Sequence, residues 1–145
     1  MNAYIPPVHG GPAPVQYRMS LTVGEHSAGH IRRIVRSLLA EWRLPQLSAA
    51  AELGVTELVA NVVRHVPDRR CVLVVLRLRA GEGVRVEVAD GSPELPCVSA
   101  ELSMEAEGGR GLVLLDAVAD KWGVEPRSGG GKAVWFECLS SGSGG

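Results

Sequence analysis

The sequence has no excess of positive charge: 15 Lys and Arg against 16 Asp and Glu leave a formal net charge of -1. It therefore lacks the basic field with which proteins hold nucleic acid, and nucleic acid is not expected as a partner. Cysteine is scarce and unpaired. Cys71, Cys97 and Cys138 are an odd number at wide spacings with no C-x-x-C pair, which excludes a disulfide framework and reads as reduced, mostly buried thiols. There is no basic segment followed by an apolar run at the N-terminus and no apolar stretch of bilayer length, so no membrane association and a cytoplasmic location are expected. Several site motifs are absent as well. Gly131-Lys132 is followed by Ala133 instead of Ser or Thr and has Pro126 where a phosphate loop needs its first glycine. His26 and His30 lack a third metal ligand, and Ser143 sits in a Ser/Gly tail instead of at a strand-to-helix elbow. No internal repeat is present.

What remains is one domain's worth of chain, with 46% hydrophobic and 21% charged residues, enough for a single core without staples. Residues 1–15 hold four prolines and two consecutive glycines and are expected to form a flexible arm; residues 140–145 are Ser and Gly only and should form a flexible tail. Between them, Tyr17, Met19, Leu21 and Val23 alternate as in a half-buried strand. Ile31, Ile34, Val35, Leu38, Leu39 and Trp42 recur at three and four, which predicts an amphipathic helix over 27–42 with Ser27 as its N-cap. Pro45 ends it and opens a second helix over 46–65, in which Gly54 implies a close packing contact or a slight bend. Residues 71–79 and 84–90 form a hairpin across Gly81-Glu82-Gly83. A long irregular stretch, 91–111, has the length of a functional lid. A short helix over 112–120 and strands over 122–126 and 132–139 complete the chain. Hairpin-connected strands with helices gathered on one side predict a two-layer α/β sandwich with a mixed, mainly antiparallel sheet and helices on one face.

Three places carry polar groups suited to chemistry. Glu57 and Asn61 lie four apart on the second helix, on one face and roughly 6 Å apart along its axis. Such a pair serves either as part of a solvated helix face or as a seat for a hard cation, with the carboxylate able to take a proton. Asp90 ends an apolar strand and is either a turn residue or a buried acceptor for an exocyclic amine such as that of adenine. Gly108-Gly109-Arg110-Gly111 leads into a helix, where backbone N–H groups, the helix terminus and the Arg110 guanidinium suit phosphate.

Taken in order, Glu57-Leu58-Val59-Ala60-Asn61, Val88-Ala89-Asp90-Gly91, Glu107-Gly108-Gly109-Arg110-Gly111-Leu112 and Gly130-Gly131-Lys132-Ala133-Val134-Trp135 resemble the GHKL ATPases. Within them the chain looks like the anti-sigma-factor serine/threonine kinases, especially the small actinobacterial ATP-binding regulators. The resemblance implies a Bergerat-type ATP-binding domain over 16–139, with ATP and Mg²⁺ as cofactors. It implies Glu57 as general base or as the group that positions a reacting partner, Asn61 as Mg²⁺ ligand, Asp90 as reader of the adenine amine, and Gly108, Gly109, Arg110, Gly111 and Leu112 as a phosphate lid. Arg64 and His65, one turn past Asn61, approach the nucleotide by helix spacing. Ala133 stands at the adenine end where many relatives carry Thr, and Gly91-Ser92-Pro93 departs from the usual D-x-G. By resemblance, the partners are an anti-anti-sigma factor phosphorylated on Ser or Thr and a sigma factor that is sequestered, and such relatives often form homodimers. The two departures define the alternative, a non-catalytic interaction regulator that binds ATP structurally or not at all.

Overall fold

The computed structural model describes residues 15–79, 82–92 and 114–140. The first strand, β1 (Gln16–Thr22), turns Tyr17, Met19 and Leu21 inward on the expected alternation. Helix α1 (Ser27–Glu41) buries Ile31, Val35 and Leu39, one residue per turn on a single stripe. Its start differs from expectation. His26 holds the cap position, and Ser27 is the first helical residue: its hydroxyl accepts a hydrogen bond from the Gly24 N–H at 2.8 Å while its own N–H donates to the Gly24 carbonyl at 3.1 Å. Gly24 and Ser27 thus close a turn on each other, and the side chain is spent there instead of on the helix's free N–H groups.

The second helical segment opens as a 3-10 turn, Pro45–Leu47, before α2 (Ser48–His65). Ala51, Gly54, Val55, Leu58, Val59 and Val62 are its buried residues, joined by one polar residue, Asn61. Gly54 has the packing role its helix-breaking character implied: a Cβ there would lie 2.6 Å from Cζ of Phe136, so the aromatic ring rests on the helix backbone. Phe136 is fully buried, and a side chain of that kind contributes about 1.5–3 kcal/mol by leaving water.

Strands β2 (Arg70–Arg77), β3 (Gly83–Asp90), β4 (Lys121–Pro126) and β5 (Lys132–Leu139) join β1 in a five-stranded sheet of order β1-β2-β3-β5-β4. All four pairings among the described residues are antiparallel, so the sheet holds no parallel pair there and is simpler than the mixed sheet expected. Hairpins account for β2-β3 and β4-β5. The chain between β3 and β4, which includes a helical stretch at 114–118, carries β4 to the outer edge.

The helices occupy one layer, with α1 on α2 and α2 over β3 and β5. Val84, Val86 and Val88 of β3 and Val134, Phe136 and Cys138 of β5 point to this layer and belong to the core. The opposite sheet face carries Arg85, stacked 4.1 Å from the Trp135 ring centroid and paired with Glu87 and Glu137. No helix among the described residues is long and apolar enough to cross a membrane. Cys71 and Cys138 are free and buried. Residues 1–14, 80–81, 93–113 and 141–145, and with them Cys97 and most of the expected arm, lid and tail, lie outside the described residues.

Candidate functional site

The phase of two neighbouring strands builds the site. On β3 the inward residues are Val84, Val86 and Val88, and the same alternation turns Asp90 inward at the strand's last position. On β5 the inward residues Val134, Phe136 and Cys138 place Lys132 inward at the first position. Asp90 and Lys132 are register partners. The Lys132 Nζ donates to Asp90 Oδ1 at 3.0 Å, with only 5% and 3% of the two side chains exposed. Asp90 Oδ1 also accepts the Ser92 N–H at 2.8 Å, an Asx turn, and Lys132 Nζ reaches the Ser92 carbonyl at 3.4 Å. The strands come this close because Gly131, at φ +92, has no side chain; a Cβ there would collide with the Asp90 carbonyl oxygen.

Above this pair lies the end of α2. Leu58, Asn61, Val62 and His65 from the helix and Val88, Asp90, Lys132 and Val134 from the sheet enclose a cavity of about 10 Å³. That is room for about one water molecule between two apolar walls. Asp90 also borders an open depression of about 610 Å³ that wraps the same end of the sheet past Thr22, Arg70, Gly91 and the turn at 127–130.

Asn61 is 8% exposed. Its Oδ1 accepts from Arg64 Nη2 at 3.2 Å, and its Nδ2 is buried without a hydrogen-bond partner among the described residues. Turning the amide over would set Nδ2 against the guanidinium, so Arg64 fixes the orientation in which the orphaned donor remains. Such an orphan costs about 1–3 kcal/mol and is the kind of group that a ligand acceptor relieves. For a magnesium ion the donor chemistry fits, with a hard amide oxygen on Asn61 and a carboxylate one turn away on Glu57. The Oδ1 is held by Arg64, so a cation there has to displace that guanidinium. No cluster of three or more His, Cys, Asp or Glu suited to a metal occurs among the described residues.

The structure therefore brings Asn61, His65 and Asp90 to one cavity and sorts the other expected residues differently. Arg64 touches Asn61 but lies in a second groove, of about 210 Å³, with Thr56, Val59, Ala60 and Val63 opposite Gly24, Glu25 and Ala28. Glu57 is half-buried and forms part of neither wall. Ala133 pairs with Ala89 and, by the alternation of β5, directs its side chain to the sheet face away from the helices. Gly108, Gly109, Arg110, Gly111 and Leu112 lie outside the described residues. The residue to which sequence reasoning gave no role is Lys132, present there in the last of the four motifs and as the wrong end of a phosphate loop. Its signal was the alternation Lys132, Val134, Phe136, Cys138.

Cys71, the β2 partner of Asp90, sits beside the site without the means to act in it. Burial first, and the Asp90 charge second, push its thiol up to about 11.

The family described as a histidine kinase-like ATPase domain matches residues 21–138, from the end of β1 to the last residue but one of β5. An uncharacterized protein of Streptomyces coelicolor is 37% identical over 73 residues, 50% of this chain and 70% of that protein.

Proposed function

The chain belongs to the histidine kinase-like ATPase domain family, and from that premise we propose that it is an anti-sigma-factor serine/threonine kinase using Mg·ATP. One observation supports the nucleotide site above all others. The helix residue and the strand-end carboxylate expected to touch nucleotide, Asn61 and Asp90, come from distant parts of the chain to a single cavity, and Asn61 has a buried amide donor with no hydrogen-bond partner among the described residues. In this reading Asp90 accepts the exocyclic amine of adenine, and the apolar side chains of Leu58, Val62, Val88 and Val134 flank the ring. Asn61 holds Mg²⁺ through its Oδ1, and the ion supplies charge neutralisation at the phosphates. Glu57 takes the proton from a serine or threonine hydroxyl of an anti-anti-sigma partner, and Gly108 to Leu112 with Arg110 cover the phosphates. Phosphoryl transfer asks for little more than this positioning and neutralisation. Phosphorylation of that partner would release this chain to hold a sigma factor.

Labelled ATP with Mg²⁺ and a cognate anti-anti-sigma protein tests the proposal. Transfer to a partner serine or threonine is expected, with Glu57→Ala reducing it by at least about a hundredfold, the usual contribution of a positioned base. Absence of transfer by a wild-type protein with proven ATP and partner binding would sink it. A second reading, a regulator that binds partners without turnover, is favoured by the internal Lys132 contact on Asp90 and by the position of Glu57 outside the cavity wall. It predicts that Glu57→Ala leaves regulation intact.

A further inference from the structure

Lys132 takes no part in the proposed phosphoryl transfer, and its placement is unusual. The sequence contains only two lysines, Lys121 and Lys132, against thirteen arginines. Lys121 is exposed, whereas Lys132 is 4% exposed. A strongly hydrated ammonium on a four-carbon stem is costly to bury, and it is kept where its charge is matched. The match is Asp90, the carboxylate whose expected task is to accept a hydrogen bond from the base. At Oδ1 two donors are already in place, the Ser92 N–H and the Lys132 ammonium. The space next to them is about 10 Å³, far less than a purine fills.

We propose that Lys132 is a built-in competitor for the base: its ammonium occupies, in the free protein, the place at Asp90 that the amine of the nucleotide takes on binding. The inference rests on Asp90 being the base reader. An N–H donor of the ligand replaces an N–H donor of the protein, so Asp90 is satisfied in both states. The long stem of Lys132 lets the ammonium leave the slot for the open depression that Asp90 also borders, where water solvates it. Its departure makes the room that the ring needs between α2 and the β3 and β5 strands. The exchange sets nucleotide affinity lower than an unobstructed site would have, because each binding event first breaks a buried ion pair. It also makes occupancy depend on anything that holds the ammonium outside.

The scarcity of lysine provides a direct test. Reductive methylation with formaldehyde and borohydride, followed by peptide mapping, is run on the full chain with and without saturating Mg·ATP, with Lys121 as the exposed control. The expected result is a Lys132 that resists modification in the free protein and reacts at a rate approaching that of Lys121 with nucleotide bound. Alongside it, calorimetric titration of Lys132→Met should show binding tighter by about tenfold, the share of one charge-assisted hydrogen bond no longer to be broken. ATP bound with Lys132 still protected, or weaker binding by Lys132→Met, overturns the proposal and makes the ammonium part of the bound site while leaving the nucleotide reading in place. No ATP binding by wild type or Lys132→Met removes both. Binding by Lys132→Met alone supports the competitor in its strongest form. The methylation arm uses wild-type protein, so the outcome stands even where the variant fails to fold.

Discussion

At Gly54 the difference between hydrogen and methyl decides how two layers meet. A Cβ would lie 2.6 Å from the Phe136 ring, and the ring has no free side to move toward because it is fully buried. Gly54→Ala should therefore destabilise the protein by about 1–3 kcal/mol through overpacking, although alanine in an open helix would gain about 1 kcal/mol. Denaturant unfolding of the variant measures this, and Phe136→Leu in the same background should recover part of the loss, since touching residues couple. A pH effect belongs to the same scale. Burial, aided by Asp120, pushes the Cys138 thiol up to about 12, as burial and Asp90 push Cys71 up to about 11. Both folded values lie above the unfolded 9.0, so the unfolded chain loses these protons first and the stability they confer falls as pH rises from about 9 through 11 for Cys71 and through 12 for Cys138. Unfolding free energies measured across that range should decline more steeply in wild type than in Cys71→Ala/Cys138→Ala. Residues of this kind were legible in the sequence when their character clashed with their surroundings: a glycine in a helix, an amide in an apolar helix face, an acid ending an apolar strand. Lys132 clashed as well, but a lysine beside a glycine-rich turn looks like surface, and the alternation that places it with Val134 and Phe136 gains its meaning from the burial of all three.

Elements were legible from period, and their ends were less so because ends are set by groups that the period does not describe. The first helix stops at Trp42 through a pair of hydrogen bonds, Leu44 N–H to the Leu39 carbonyl at 2.7 Å and Arg43 N–H to the Ala40 carbonyl at 3.1 Å. That pattern is a Schellman closure with Arg43 at the left-handed position, φ 63, where glycine is the usual choice. Pro45 announced that a helix ends nearby, but no glycine marked the closure itself. An arginine pays for that backbone with steric crowding between its Cβ and the neighbouring carbonyl. Arg43→Gly should consequently raise stability by about 0.5–1 kcal/mol, less the entropy that glycine costs in the unfolded chain, and thermal unfolding checks it. Unchanged or lower stability would mean that the Arg43 side chain contributes more than its backbone loses. Between the helices, Arg36 and Glu52 form a bidentate, solvent-exposed pair at 2.7 and 3.0 Å that ties α1 to α2 at their surface. The hydrogen bond from Arg36 holds the Glu52 carboxyl below its ordinary 4.5, so this tie persists through neutral pH and weakens as acid approaches the lowered value. The Ala133 side chain shows the limit of reading motifs as strings. A motif names neighbours in sequence, whereas strand alternation sends Lys132 and Ala133 to opposite faces.

For the molecule as a whole, the site lies at the seam of its two layers, with Asn61 and His65 from the helices and Asp90 and Lys132 from the sheet. A ligand seated there binds only when helices and sheet are together, so its binding energy adds to folding stability. At a hundred times its dissociation constant, Mg·ATP should stabilise the fold by about 2.7 kcal/mol. For a domain of this size that is a rise in Tm of about 5–10 °C. Asp90→Asn should abolish the rise, but the variant brings a second effect that the seam itself creates. Without the carboxylate, Lys132 is left as a buried charge with no counter-charge, a loss of about 3–5 kcal/mol that lowers Tm before any nucleotide is added. The informative quantity is therefore the ligand-induced difference within each protein, and the matched control is Asp90→Asn/Lys132→Met, which removes both charges together. That pair should unfold closer to wild type than Asp90→Asn does, because two opposite buried charges removed at once leave neither stranded, and it should still show no shift with Mg·ATP. A nucleotide-dependent shift retained in the double variant would place the base away from Asp90, and the seam between α2 and the β3 and β5 strands would then owe its polar pair to folding alone.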